Sequence, residues 1–270
     1  MSDDFELWGE SGPLRDLLVD TWRSRDLITT LARKDFLVRY RRASFGVLWA
    51  LALPLFQAAV LALVVPKFAH FTTPGSYITF VFAGTVAWAF FLATVTQGST
   101  SIVDNQGVTT RVYFPRVVLP LAAVLSNLYS FVPTLAILVV MTVVTGGFGP
   151  QLLIIVPASL VVCVLTGAIS ILLAALHVYF RDIRYIVQAA LLAWFYVTPV
   201  IYPLDAVHSL RPWLQINPVT GVVEMFRAAT VGADSAWSSS LWWLIAWSVV
   251  LVMGAALMHR RYDRVFVDLL

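Results

Sequence analysis

The chain has 270 residues, 60% of them apolar and 13% aromatic. Its 18 basic and 15 acidic residues leave it 12% charged, with a net charge of +3 and a mean hydropathy of +0.84. A soluble domain carries about 25% charged residues, so too little polar surface is present to cover a globule in water. Disorder, a disulfide scaffold and a cytosolic enzyme are disfavoured, and the bilayer is the natural solvent. The single Cys163, among Val161, Val162, Val164 and Leu165, cannot form a disulfide within the chain and reads as a small buried residue. The histidines, His70, His177, His208 and His259, stand too far apart in sequence to pair as ligands, so no metal site is expected.

Residues 1–42 hold eight basic and eight acidic residues and no long apolar run. They read as a cytoplasmic N-terminal segment, not as a signal peptide or anchor. A helix from Asp26 to Arg42 collects Leu27, Ile28, Leu31 and Val38 on one side, with Asp35 and Arg42 intruding on the stripe. Its cations, Lys34, Arg39, Arg41 and Arg42, suit an interfacial helix. Orientation and attraction to anionic head groups account equally for the basic end.

A helix crossing the hydrocarbon needs about 20 residues without charge, so the gaps between charges predict the spans. The first gap is 43–66. The second, 68–103, holds one span and a lead-in at Thr73, Pro74 and Gly75. The third, 117–180, holds two spans parted by the turn cluster Gly146, Gly147, Phe148, Gly149 and Pro150. A fifth span is expected between Arg184 and Asp205 and a sixth between Asp234 and Arg260. The predicted fold is an all-α integral membrane protein, with a six-span domain over 43–259 and a cytoplasmic tail over 260–270. With the N-terminus inside, the inner segments carry fifteen basic residues against Lys67, Arg211 and Arg227 outside. Both termini are therefore placed in the cytoplasm. The uncharged run from Pro212 to Val223 is too short for a span and suits a re-entrant segment on the outer side, with Pro218 and Gly221 inside protein.

Chemistry is scarce. A Walker loop needs Gly and Lys at fixed spacing, and neither Lys34, after Arg33, nor Lys67, after Pro66, meets it. The six expected spans contain no ionisable residue, apart from Glu224 at the edge of the outer segment, which removes most support for proton coupling or an ion channel. No carboxylate pair at a membrane face supplies the acid, base or metal set of a glycosyltransferase. Two inner loops stand out by combining aromatics with arginine, a composition common at protein interfaces. One contains Arg111, Tyr113, Phe114 and Arg116; the other contains Tyr179, Phe180, Arg181, Asp182 and Arg184. On span two, Tyr77, Phe80, Gly84, Trp88, Phe91, Val95 and Gly98 form one stripe, and Tyr185, Gln188, Tyr196 and Pro199 share a face of span five. Tyr77, Phe80, Trp88, Phe91 and Tyr196 fit an aromatic track for a sliding sugar polymer. The span-two stripe, with Gly84 and Gly98 among its rings, equally fits close helix packing.

The run Arg39, Tyr40, Arg41, Arg42, Ala43, Ser44, Phe45, Gly46, Val47, Leu48, Trp49, followed by Pro54, resembles the approach to the first span in permease subunits of ABC polysaccharide exporters. The motifs Tyr113, Phe114, Pro115, Arg116 with Pro120, then Tyr179 to Asp182, then Asn217, Pro218 with Arg227, resemble that family's other features over residues 26–262. Ala43 and Phe45 depart from its usual hydroxyl residue and Leu. The resemblance implies a homodimer with two separate ATPase subunits, which bind ATP and Mg while this chain holds no cofactor and no nucleic acid. It implies the two inner loops as coupling elements, and the bacterial cytoplasmic membrane as the location. The implied substrate is a lipid-linked glycan of the O-antigen, teichoic acid or galactan type. It also implies re-entrant outer helices between spans five and six, with Asn217, Pro218, Glu224 and Arg227 as an outer gate. Sixteen arginines against two lysines point to a GC-rich genome, which favours a wall galactan. The alternative from another class is a membrane-embedded transferase acting on a lipid-linked sugar.

Overall fold

The computed structural model describes residues 14–68, 72–109, 114–147, 149–232 and 236–262, and those residues contain helices and no strand. In chain order the helices are α1 Leu14–Arg23, α2 Arg25–Tyr40, α3 Leu48–Val64, α4 Tyr77–Asp104 and α5 Gln106–Thr109. They continue with α6 Val118–Val144, α7 Ile155–Tyr179, α8 Ile183–Val197, α9 Arg211–Ile216, α10 Pro218–Val231 and α11 Ala236–Tyr262. Among the described residues, five helical stretches are long and apolar enough to cross a bilayer: Leu48–Lys67, Tyr77–Asp104, Val118–Val144, Pro150–Tyr179 and Ser240–Met258. The expected fifth span differs. In its place α8 has 15 residues, about 22 Å of helix, against a hydrocarbon core about 30 Å thick. Pro199 is the reason: a residue before proline is driven out of the helical region, and Thr198 is extended at φ −85°, ψ 132°.

The core is built around α4, which packs against α3, α6, α7, α8 and α10. Phe80, Phe82, Val86, Trp88, Phe91 and Val95 are all buried on it. A helix apolar on every side is stable only when enclosed or in lipid, and α4 is enclosed. By contrast α3 and α11 leave large side chains outward, among them Leu53, Phe56 and Leu63 on the first and Trp242, Val250 and Met253 on the second.

At Gly98, α4 and α7 approach each other closely. A Cβ built on Gly98 would lie 2.4 Å from both Cβ and Oγ of Ser170, and Ser170 Oγ donates to the Thr94 carbonyl at 3.3 Å. Overpacking a tight contact costs about 1–3 kcal/mol. Gly98→Ala should therefore lower the unfolding midpoint of the protein in detergent, and Ser170→Gly in the same chain should restore it. A Gly98→Ala chain as stable as the parent would show that α4 and α7 separate freely.

At one end of the bundle a second cluster joins Leu31 and Ala32 of α2 to Ile102, Val118, Ala122 and Ala175, with Leu27 and Ile28 packed against it. The Asp26-to-Arg42 stripe is thus used in part. Val38 is exposed, while Asp35, read as an intrusion, points at Gln97, whose Nε2 donates to Asp35 Oδ2 at 3.4 Å.

Candidate functional site: an exposed loop and a buried joint

Three residues, Phe180, Arg181 and Asp182, join α7 to α8, and all three are exposed. Phe180 is extended (φ −126°, ψ 101°) and caps α7, its N–H donating to the Leu176 carbonyl at 2.9 Å. Its carbonyl accepts from Ile183 N–H at 3.1 Å, and the Asp182 carbonyl accepts from Tyr185 and Ile186, which starts α8 at once. So tight a connection has no slack. Arg184, on the first turn of α8, donates to Asp104 at the end of α4 at 2.6 Å.

The other loop behaves differently. Arg111 and Tyr113 lie outside the described residues. Phe114 and Arg116, expected on the docking face, are buried, with the Arg116 guanidinium 6.0 Å from the Phe114 ring centre. Phe114 belongs to the α2, α4, α6 and α7 cluster. Its apolar ring gains more there than in water, so these two residues lie in the body of the molecule, whereas Phe180, Arg181 and Asp182 are exposed.

At the opposite end of α8 the four expected gate residues fall into two bonded groups at the start and middle of α10, each reaching the turn that follows α8. Asn217 caps α10, its Oδ1 accepting from Val219 N–H at 3.0 Å. The same oxygen accepts from Trp194 Nε1 at 3.0 Å, and its Nδ2 donates to Thr198 Oγ1 at 3.0 Å. Pro218 follows at the first helical position, where its missing N–H costs nothing. The run of uncharged residues ended at Glu224, yet α10 continues through Glu224 and Arg227 to Val231 and is buried along nearly its whole length. Arg227, counted by sequence among the outer charges, is completely buried. It donates to Glu224 Oε1 at 2.8 Å, to the Val200 carbonyl at 2.8 Å and to the Tyr202 carbonyl at 3.4 Å. Its guanidinium also lies 3.6 Å from the centre of the Phe80 ring. Gly84 makes the room, since a Cβ there would sit 3.0 Å from the Val200 oxygen and 3.5 Å from the guanidinium. Tyr77 adds a hydrogen bond to the Ile201 carbonyl at 3.0 Å. One arginine and one tyrosine thus hold the turn that Pro199 creates.

The five expected track residues divide. Phe80, Trp88 and Phe91 are buried in the single chain, where Trp88 meets Phe91 and Phe195, and Phe91 meets Trp194 edge-on. Packing is the role the structure gives those three rings. Tyr77 is partly buried under the Pro199 turn, and Tyr196 alone stands on an open face, near Tyr185 and Leu192, which are likewise exposed.

The expected basic face of α2 also divides. Arg41 and Arg42 are exposed and Lys34 pairs with Asp35 at 3.1 Å. Arg39, also exposed, reaches to α4 and α6, donating to Asn127 Oδ1 at 2.9 Å and to Gln97 Oε1, while Asn127 Nδ2 donates to the same Gln97 oxygen at 2.9 Å. Gln97 and Asn127 were missed because only charge was searched for within the spans. The signal was present, since each is a carboxamide among small hydroxyl residues within a long uncharged stretch of helix.

The comparisons fit this architecture. The O-antigen export system permease protein RfbA of Myxococcus xanthus is 30% identical over 244 residues, covering 89% of this chain and 94% of that protein. An RfbA of Klebsiella pneumoniae with the same description is 28% identical over 206 residues, covering 75% and 79%. The family profile of the ABC-2 type transporters matches residues 26–231, which include the exposed loop Phe180 to Asp182, α8 and the joint around Asn217 and Arg227. The chain belongs to the ABC-2 type transporter family and is a multi-pass membrane protein.

Proposed function

We propose that this chain is the permease of an ATP-driven exporter that moves a lipid-linked polysaccharide across the cytoplasmic membrane. It works as a homodimer with two separate ATP-binding subunits, which supply ATP and Mg chemistry. The relatives named for O-antigen export support the class of substrate. The observation that carries the reading is α8, a short helix tied at both ends. Its first turn follows the exposed loop Phe180 to Asp182 and is bonded to Asp104, and its last turn is bonded through Trp194 and Thr198 to Asn217. A push on the loop is delivered to α10 with little loss, because packed interiors transmit displacement.

The test is biochemical. The chain should co-purify with a P-loop ATPase, and the pair should hydrolyse ATP faster when supplied with lipid-linked glycan. A chain that transfers sugar onto a lipid carrier by itself, with no ATPase present, would overturn the export reading in favour of a transferase.

In this reading α8 with its Pro199 turn counts as the fifth crossing and α11 as the sixth, so α9 and α10 dip in from outside and both termini are cytoplasmic. Backbone at that depth is tolerated when enclosed by protein, as α10 is. Trp213 on α9 is 72% exposed. Trp213→Cys in a Cys163→Ser chain should react with an impermeant thiol reagent added to intact cells; reaction only after the cytoplasmic side is opened would reverse the topology.

A further inference from the structure

His177 stands two residues before the end of α7 and is 2% exposed. Its sequence neighbours Ala174, Ala175 and Val178 belong to the cluster that joins α7 to Ile102 of α4. The imidazole lies beside the backbone of Ser99 on α4 and of Arg181 in the exposed loop, with the charges of Arg184 and Asp104 near it. Its Nδ1 is buried and has no hydrogen-bond partner. Whichever tautomer the ring takes, that atom is a donor without an acceptor or an acceptor without a donor. Other buried polar atoms also lack a partner, among them the hydroxyls of Thr94, Ser126, Thr220 and Ser248. Those lie within helices, where a rotation of the side chain brings the carbonyl one turn back into reach. A flat ring held between two elements pairs only when one of them moves.

Two contacts therefore cross the seam between α4 and the start of α8. The ion pair of Arg184 with Asp104 is the outer one, its side chains 42% and 49% exposed, so water and salt screen it and it holds the seam weakly. His177 is the enclosed one. Leaving a buried polar atom unpaired costs more than pairing it gains, and such atoms are uncommon in folded proteins. In the present arrangement the seam carries that cost. A small displacement of the loop and the first turn of α8 against α4 changes what faces the ring, and a position that offers Nδ1 a partner removes it.

We infer that His177 is a positioning residue: it keeps the seam between α4 and the loop Phe180 to Asp182 poised, so that a partner seated on the loop shifts it at reduced cost. The partner's part rests on the export reading, whereas the poise is measured on the chain alone, so the two fail separately. Ser99 faces the seam and is 1% exposed, so a cysteine there reacts only when the seam opens. The full chain carrying Cys163→Ser and Ser99→Cys is treated with a maleimide in detergent, and its labelling rate and unfolding midpoint are compared with His177 intact and changed. His177→Leu, close in size and without nitrogen, should label about tenfold more slowly and unfold at a higher temperature, because the unpaired atom is gone. His177→Asn, which keeps a polar atom on Cγ, should label like the parent. A Leu chain that labels as fast as the parent, or unfolds earlier, makes His177 a packing residue and overturns the inference. An Asn chain as slow as the Leu chain overturns it too, since bulk and not the nitrogen would then set the rate. If the Leu chain does not fold, His177→Phe, which keeps a flat ring, is held to the same two results. With the ATPase present, His177→Leu should lower export about tenfold while the ATPase stays bound; undiminished export overturns the use of the poise. Absence of an ATPase partner sinks the export reading and leaves the labelling to decide the seam.

Discussion

Replacing Arg227 by Ala should cost the folded protein about 3–5 kcal/mol, because the loss of one partner strands the other buried charge. Glu224 would keep its carboxylate inside α10 with no cation, and the carbonyls of Val200 and Tyr202 would lose their donor together. The Phe80 ring would face a void where the guanidinium now lies. The measurable outcome is a chain that inserts but aggregates on extraction, with an unfolding midpoint well below the parent. Arg227→Met with Glu224→Leu removes both charges at similar volume and should recover much of the stability. The two carbonyls stay unpaired in that chain, at about 1–3 kcal/mol each, so the recovery is incomplete. A single Arg227→Ala chain that unfolds like the parent would show that the pair stabilises nothing and that the Pro199 turn is held by packing alone.

The second large effect is expected in function and not in stability. Arg181 and Asp182 are exposed between α7 and α8, and neither makes an ion pair among the described residues. Changing both to Ala removes charge from the surface proposed to meet the ATPase while leaving the backbone bonds that start α8 in place. Membrane insertion and the unfolding midpoint should be unchanged, since surface substitutions away from such bonds stay within about 0.5 kcal/mol. Export should fall about tenfold, the range of a typical coupling energy between sites. The companion change, Arg184→Ala, cuts the bond to Asp104 and should lower export while the ATPase still binds, because the helix then moves without α4. Normal export from the Arg181→Ala, Asp182→Ala chain would return the loop to a plain positive-inside anchor.

The aromatic stripe on α4 shows what helical spacing leaves open. Phe80, Trp88 and Phe91 recur at helical spacing, which identifies a shared face but not what that face meets. The same spacing serves an open lumen and a packed core, and only the neighbours decide. Here Phe195 and Trp194 of α8 fill the space, and Arg227 covers Phe80. Phe114 and Arg116 illustrate the same point, since both read as surface by composition and both are buried, Phe114 within the cluster that includes α2.

Some features were legible because they depend on composition and local rules alone. An apolar content of 60% with 12% charge settles the solvent, the long uncharged gaps mark the helices that the bilayer requires to satisfy their own backbone, and the ordered motifs identify the family. The end of α8 obeys a local rule too but was passed over, because the spans were bounded by charge alone: Pro199 forces Thr198 out of the helix. Others depend on groups far apart in sequence. Charge was read as a boundary at Glu224, which holds only if a charge meets water. In the structure Glu224 and Arg227 neutralise each other one turn apart, and carbonyls from residues 200 and 202 accept from the two terminal nitrogens of the guanidinium, while its Nε has no partner. That arrangement exists because α4, α10 and the turn after α8 converge, and it lets α10 run through two charges inside the bundle. The Arg39 contacts with Gln97 and Asn127 arise the same way, from three helices whose polar residues lie 30 to 88 positions apart. Local chemistry determines where this chain is apolar and where it turns; which charges are buried, and against what, is decided only when the helices meet.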